Sequence, residues 1–256
     1  MAHNLLILGG TTEASRLGQA VAEAGLRGQV SLAGRVARPK RQPLPMRVGG
    51  FGGVAGLIGF LRTEKISHII DATHPFASQM SHNAARAAQE TGLPLVAFTR
   101  PPWQPGPGDN WVCVPDIDAA ARSLDGPAER IMLAVGRMHL STFAISPQHD
   151  YLLRLVDPPD GPLPLPRCQV VLDRGPFTLA GDLALMRAHG IQRVVSKNAG
   201  GTAAIAKLEA ARELGLPVTM IERPRQPQRT EITRLEDVMA WITQTGIPHS
   251  GTERGV

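Results

Sequence analysis

Leu5-Leu6-Ile7-Leu8-Gly9-Gly10-Thr11-Thr12-Glu13-Ala14 decides the fold: an apolar run of strand length meets two glycines and two threonines, then turns helical. Leu17, Val21 and Ala24 follow at spacings of four and three, one face of a helix, and Gly25 supplies its stop. A strand opening through glycine into a helix N-terminus leaves amide N–H groups converging at the positive end of the helix dipole, where phosphate binds well. Gly9 and Gly10 let a ligand approach the backbone, and the hydroxyls of Thr11 and Thr12 can cap the helix or donate to phosphate oxygen. The loop departs from the G-x-G-x-x-G dinucleotide pattern, and any α/β domain could open this way. The next strand tips the balance. Residues 29–34 read as a strand that runs into Arg35, with Arg38, Lys40 and Arg41 behind it. An acidic residue at that place holds the ribose of NAD, whereas arginine suits the 2′-phosphate of NADP.

A chain of 256 residues can bury a substantial core, and 43% hydrophobic with 19% charged content is that of a soluble globular protein. Aromatic residues make up only 4%, so the core rests on Leu, Val, Ile and Ala. No run approaches the roughly eighteen apolar residues needed to cross a bilayer. Met1-Ala2-His3-Asn4 lacks the basic region of a secretory signal, so a cytoplasmic location is expected. Cys113 and Cys168 have neither metal nor redox spacing, which fits a reducing compartment. The net charge of +5 could serve nucleic acid, an anionic membrane or a polyanionic small molecule. Cations scattered through loops, with one tyrosine in the chain, favour the small polyanion over nucleic acid or membrane.

Strands alternate with helices throughout, which implies parallel sheets with ligands beyond the carboxyl ends of the strands. The unusual residues gather at those ends. The first half carries one set and the second half another, so we expect two doubly wound lobes with the active site in the cleft between them. A polar turn near residue 125 sets the expected division: 1–125, then 126–248, with 249–256 as a disordered tail.

Asp71-Ala72-Thr73-His74-Pro75-Phe76-Ala77 follows an apolar strand and opens a helix. Capping explains Pro75 and part of Thr73, but not a carboxylate, an imidazole and a phenyl ring in one loop. His74 can titrate near neutral pH and is a candidate proton donor. Ser196-Lys197-Asn198-Ala199-Gly200-Gly201-Thr202 forms a second glycine-bearing turn and a second anion cradle, distinct from a Walker A loop. Arg137 with His139, and Arg174 within Asp173-Arg174-Gly175-Pro176-Phe177, add cations on neighbouring loops, a pattern for a substrate with several carboxylates. His68, His74 and His82 lie on a strand, a loop and a helix, so no metal site is expected. The G-x-S-x-G elbow and the Tyr-x-x-x-Lys of short-chain dehydrogenases are both missing, since Tyr151 has Leu155 four residues on.

Taken together with Ala33-Gly34-Arg35, these motifs resemble the precorrin-6A reductase family of cobalamin biosynthesis, in the same order from about residue 4 to 245. The resemblance implies two Rossmann-like lobes, with strands near the crossover able to exchange between them. It implies NADPH-dependent reduction of one double bond of the precorrin-6A macrocycle, giving precorrin-6B. On that basis Gly9, Gly10, Thr11, Thr12, Glu13 and Arg35 are assigned to the cofactor, and Asp71, Ala72, Thr73, His74 and Pro75 to its nicotinamide end. Phe76, Arg137, His139, Arg174, Ser196, Lys197, Asn198, Gly200 and Gly201 are assigned to a polycarboxylate tetrapyrrole, with His74 or Lys197 as proton donor. A monomer is expected. The alternatives are a cobalt-containing form of the same substrate and a non-catalytic NADP sensor.

Overall fold

The computed structural model describes residues 3–34 and 41–245. The chain forms two compact units, one running to Arg100 and resuming at Arg225, the other Pro101–Pro224.

The first unit opens with β1 (Asn4–Leu8), α1 (Thr12–Glu23), β2 (Arg27–Leu32), β3 (Met46–Val48), α2 (Gly53–Thr63), β4 (His68–Asp71), α3 (Ser78–Thr91) and β5 (Leu95–Phe98). Its centre is β1, whose four apolar residues are all buried and so need cover on both faces. Alternation divides them: Leu5 and Ile7 pack with Ala14, Leu17 and Val21 of α1, while Leu6 and Leu8 pack with Leu57, Leu61, Ala84 and Ala87 of α2 and α3.

The second unit contains β6 (Asn110–Val114), α4 (Ile117–Arg122), β7 (Arg130–Ala134), a 3-10 stretch (Arg137–Ile145), β8 (Asp150–Leu155), β9 (Cys168–Leu172), α5 (Leu179–Ala188), β10 (Arg193–Lys197), α6 (Ala206–Glu213) and β11 (Pro217–Ile221). Met132, Leu152, Val194, Leu208, Met220 and Trp103 lie in its core. The chain then returns to the first unit through β12 (Thr230–Ile232) and α7 (Leu235–Gln244).

Both sheets are parallel throughout the described residues and have six strands, ordered β12-β5-β4-β1-β2-β3 and β6-β11-β10-β7-β8-β9. Read from the third strand inward, each follows the doubly wound order of a Rossmann lobe, with the reversal between β1 and β4 in one sheet and between β7 and β10 in the other. The sixth place holds the exception. It is filled in the first sheet by β12, the last strand of the chain, and in the second by β6, which follows β5 in sequence.

A division at residue 125 therefore needs correcting to one at 100 and 225. The polar turn at 125 lies between α4 and β7 inside the second unit. Hydrogen bonding decides this: β6 pairs with β11 from Asn110 to Val114, and β12 pairs with β5 from Thr230 to Ile232. The proposed tail 249–256 lies outside the described residues.

Because the chain's last helix completes the first unit's core, Val238 and Ile242 are fully buried against the cluster that includes Leu5, Ile7 and Leu17. Ile242→Ala should lower unfolding stability by about 2–5 kcal/mol, measured by urea denaturation. Loss within ±0.5 kcal/mol, the usual range of a surface change, would contradict that placement.

Candidate functional site

In the first unit the reversal point lies between the carboxyl ends of β1 and β4, where their loops diverge. The two glycines after β1 do different jobs. A methyl group on Gly9 would come within 3.0 Å of Val30 and 3.3 Å of Ala14, so Gly9 lets α1 pack closely on the sheet. Gly10 has φ +112 and would meet nothing within 4 Å, so it supplies a turn forbidding to other residues beside open space. Thr11 is the N-cap of α1: its Oγ1 accepts from the Ala14 amide at 3.1 Å and donates to the Ala72 carbonyl at 2.7 Å. That hydroxyl is spent on cap and cross-loop tie, leaving the exposed Thr12 side chain and the first-turn amides for an anion. Glu13 pairs with Arg100 at the end of the unit's first segment, 2.5 Å apart. Arg35 lies outside the described residues.

The β4 loop is built around a buried carboxylate. Asp71 accepts from the Thr73 amide at 3.1 Å, the Thr73 hydroxyl at 2.7 Å and the Ser81 hydroxyl at 2.6 Å, and it pairs with Arg229. With 2% exposure it shapes the loop from inside. Ala72 and Pro75 are buried too, whereas Thr73, His74 and Phe76 are half-buried. The His74 Nδ1 accepts from the Phe76 amide at 3.2 Å, so the neutral ring carries its proton on Nε2. The returning segment grips this loop further: Gln226 donates to the Pro75 carbonyl at 2.8 Å, and Ser78 donates to the Arg225 carbonyl at 3.1 Å. Arg225, Gln226 and Arg229 were invisible to sequence reading, since polar residues interrupted by Pro224 and Pro227 read as a loop.

The second unit repeats the plan. The β7 and β10 loops flank its reversal point, Ala134 and Ser196 being paired across the strands. Arg137 and His139 open the 3-10 stretch after β7, and Arg137 forms a half-exposed ion pair with Asp160 at 2.9 Å. Arg174, after the edge strand β9, lies 3.8 Å from Asp157 and is half exposed. Lys197, half-buried, ends β10. Ser196 is fully buried with its hydroxyl donating to the Lys197 carbonyl at 3.2 Å.

Asn198 and Gly200 lie against the segment that leads into β6. The Asn198 side chain clasps the backbone of Trp103, accepting from its amide at 2.8 Å and donating to its carbonyl at 3.0 Å. A methyl group on Gly200 would stand 2.1 Å from the Pro101 carbonyl oxygen, and its φ of +69 favours glycine besides. The Gly201 carbonyl accepts from the Trp103 indole at 2.7 Å. Arg223 donates to the carbonyls of Asn198 and Ala199 at 2.9 and 3.0 Å. These residues shape the loop that presents Lys197; Trp103 and Arg223 are the site-forming residues that sequence reading missed.

The donors and the open turn at Gly10 fit the pyrophosphate of a dinucleotide, and the chemistry is that of a two-lobed, Rossmann-like nucleotide-dependent enzyme. The family model described as precorrin-6x reductase CbiJ/CobK matches residues 4–243, and the chain belongs to that family. It is thus an oxidoreductase that works with a reduced nicotinamide cofactor. The chain is 55% identical to the precorrin-6A reductase of Rhodobacter capsulatus, with 98% of this chain and 99% of that one covered. It is 31% identical to the cobalt-precorrin-6A reductase of Priestia megaterium, with 94% and 99% covered. A solved structure of CobK precorrin-6A reductase superposes with a TM-score of 0.92 at 54% identity, covering 99% of this chain and all of that one. Among the described residues no helix is long and apolar enough to cross a membrane, and no three His, Cys, Asp or Glu side chains gather as metal ligands.

Arg229→Ala strands the Asp71 carboxylate in the interior. It should cost about 3–5 kcal/mol in chemical denaturation, with Arg229→Lys recovering part of the loss. An unchanged denaturation midpoint in Arg229→Ala would contradict the buried pairing.

Proposed function

We propose that this chain reduces one double bond of the precorrin-6A macrocycle with NADPH, giving precorrin-6B in cobalamin biosynthesis. The observation that carries the reading is the identity of 55% over nearly the whole length of a precorrin-6A reductase. The relative named for the cobalt-containing substrate stands at 31%, which favours the cobalt-free tetrapyrrole.

The first-turn amides of α1, the open backbone at Gly10 and the Thr12 hydroxyl bind the pyrophosphate, and Arg35 holds the 2′-phosphate. His74, fixed by the Phe76 amide, offers Nε2–H to the nicotinamide end, with Thr73 beside it. When bound, NADPH supplies a hydride to one carbon of the reduced double bond. The adjacent carbon takes a proton. A neutral imidazole held through Nδ1 is a hydrogen-bond donor and a poor acid, whereas the Lys197 ammonium carries a proton to give, so Lys197 is the better candidate for that step. Arg137, His139 and Arg174 bind the acidic side arms of the ring. Hydride plus proton balances the reduction, leaving a CH–CH unit and NADP.

Purified protein with NADPH and precorrin-6A should lose the near-ultraviolet absorbance of the reduced nicotinamide and yield a product heavier by one hydride and one proton. Binding of NADPH without turnover would favour the sensor reading. Lys197→Met should lower kcat by about 10²–10⁴-fold with NADPH affinity kept. Unchanged kcat would place the proton source elsewhere. Arg35→Ala should raise the KM for NADPH by roughly tenfold and leave that for NADH almost alone, as loss of a charged contact requires; equal loss for both would refute its assignment.

A further inference from the structure

A group of three buried charges lies inside the second unit, made of residues given no role above. Arg154 on β8 and Asp182 on α5 form an ion pair with side chains 9% and 4% exposed. Lys207 on α6 is also buried. Two cations and one carboxylate thus share a site of low dielectric, a costly arrangement to keep for packing alone. Lys207 has no carboxylate within ion-pair distance among the described residues; Asp182 and Arg154 act on it through space, and its Nζ donates to the Ala204 carbonyl at 2.6 Å.

The group touches both substrate loops of this unit. The Arg154 guanidinium stacks at 4.1 Å on the ring of Phe177, which ends the loop carrying Arg174. Lys207 holds Ala204 in the loop that starts at Lys197, and its Nζ sits 4.8 Å from the ring of Trp103. Trp103 in turn holds Asn198 and Gly201. Phe177 and Asp182 also line a cavity of about 200 Å³ with Asp173, Pro176, Thr178 and Leu185. Phe177 thus joins Arg154 and Asp182 to the loop of Arg174, and Trp103 with Asn198 joins Lys207 to the loop of Lys197, while Lys207 meets Asp182 and Arg154 through space alone.

We propose that Arg154, Asp182 and Lys207 are positioning residues that hold the two carboxylate-binding loops of the second unit in register with one another. They set affinity for the tetrapyrrole through Arg174 and Lys197, touching neither substrate nor cofactor. The inference rests on the substrate-loop assignment above. Burial pushes the Lys207 ammonium down to about 8, against the raising effect of Asp182 and with Arg154 adding to the fall. The folded group is therefore charged below about pH 8 and neutral above it, so the loops lose one buried cation as pH rises.

Two measurements test this. In hydrogen exchange, Asp182→Asn and Lys207→Met should speed amide exchange in residues 173–178 and 199–205 together, with residues 71–77 of the first unit unchanged. In steady-state assays, the same variants should raise the KM for precorrin-6A about tenfold and lower kcat as Lys197 loses its fixed place, with the KM for NADPH near wild type. Wild-type KM for precorrin-6A should rise as pH passes about 8, Lys207→Met should abolish that inflection, and Lys207→Arg should restore tight binding at high pH. If exchange in the two loops stays at wild-type rates in folded variants, or only one loop responds, the proposal is wrong whatever the activity. Loosened loops with no turnover of precorrin-6A in the wild type would support the coupling and overturn the assigned reaction.

Discussion

A carboxylate at the buried end of a parallel strand has to be neutralised, and for Asp71 the neutralising arginine comes from the far end of the chain. Arg229 stands immediately before β12, so the pair joins the loop after β4 to the strand that completes the same sheet. The charge could not remain unpaired there without a penalty of several kcal/mol. Strand placement and loop shape are thereby tied to one contact, and Thr73, His74 and Pro75 take their positions from it.

The second unit holds its corresponding loop without a buried carboxylate in it. Its loop after β10 is held by the segment that leads into β6, through the Asn198 clasp on Trp103 and the tight seat of Gly200 against Pro101. In each unit, then, the segment feeding the exchanged sixth strand lies on the loop beside the reversal point. A lobe closed by its own next strand would need no such segment. The exchange gives each ligand loop a second backbone wall and a set of fixed partners, which is the kind of support that catalytic geometry needs.

This division of labour accounts for the several polar residues in the two motifs that are engaged within the protein. Asp71, Ser196 and Asn198 spend their side chains on backbone and neighbours, and Thr11 spends its hydroxyl in the same way. In the reading proposed here, the groups that meet a ligand are the amides at Gly10 and Thr12, and the His74, Arg137, Arg174 and Lys197 side chains. Hydride transfer asks little more of a protein than placement and exclusion of water.

Periodicity alone determined the α/β class, the parallel sheets and the two reversal-point loops, because a strand buried on both faces and a helix with one apolar face leave unmistakable patterns in Leu5, Leu6, Ile7 and Leu8, and in Leu17 and Val21. The ordered motifs likewise determined the family. Three-residue β12, with Thr230 and Glu231 exposed, leaves no such pattern, and its pairing with β5 depends on hydrogen bonds more than 130 positions apart in sequence. Only the tertiary structure decided which strand fills each sixth place, where the units divide, and which motif residues are engaged by partners distant in sequence. A carboxylate or an amide reads the same in a sequence whether its partner is a substrate or a distant arginine, and the fold alone brings that partner near.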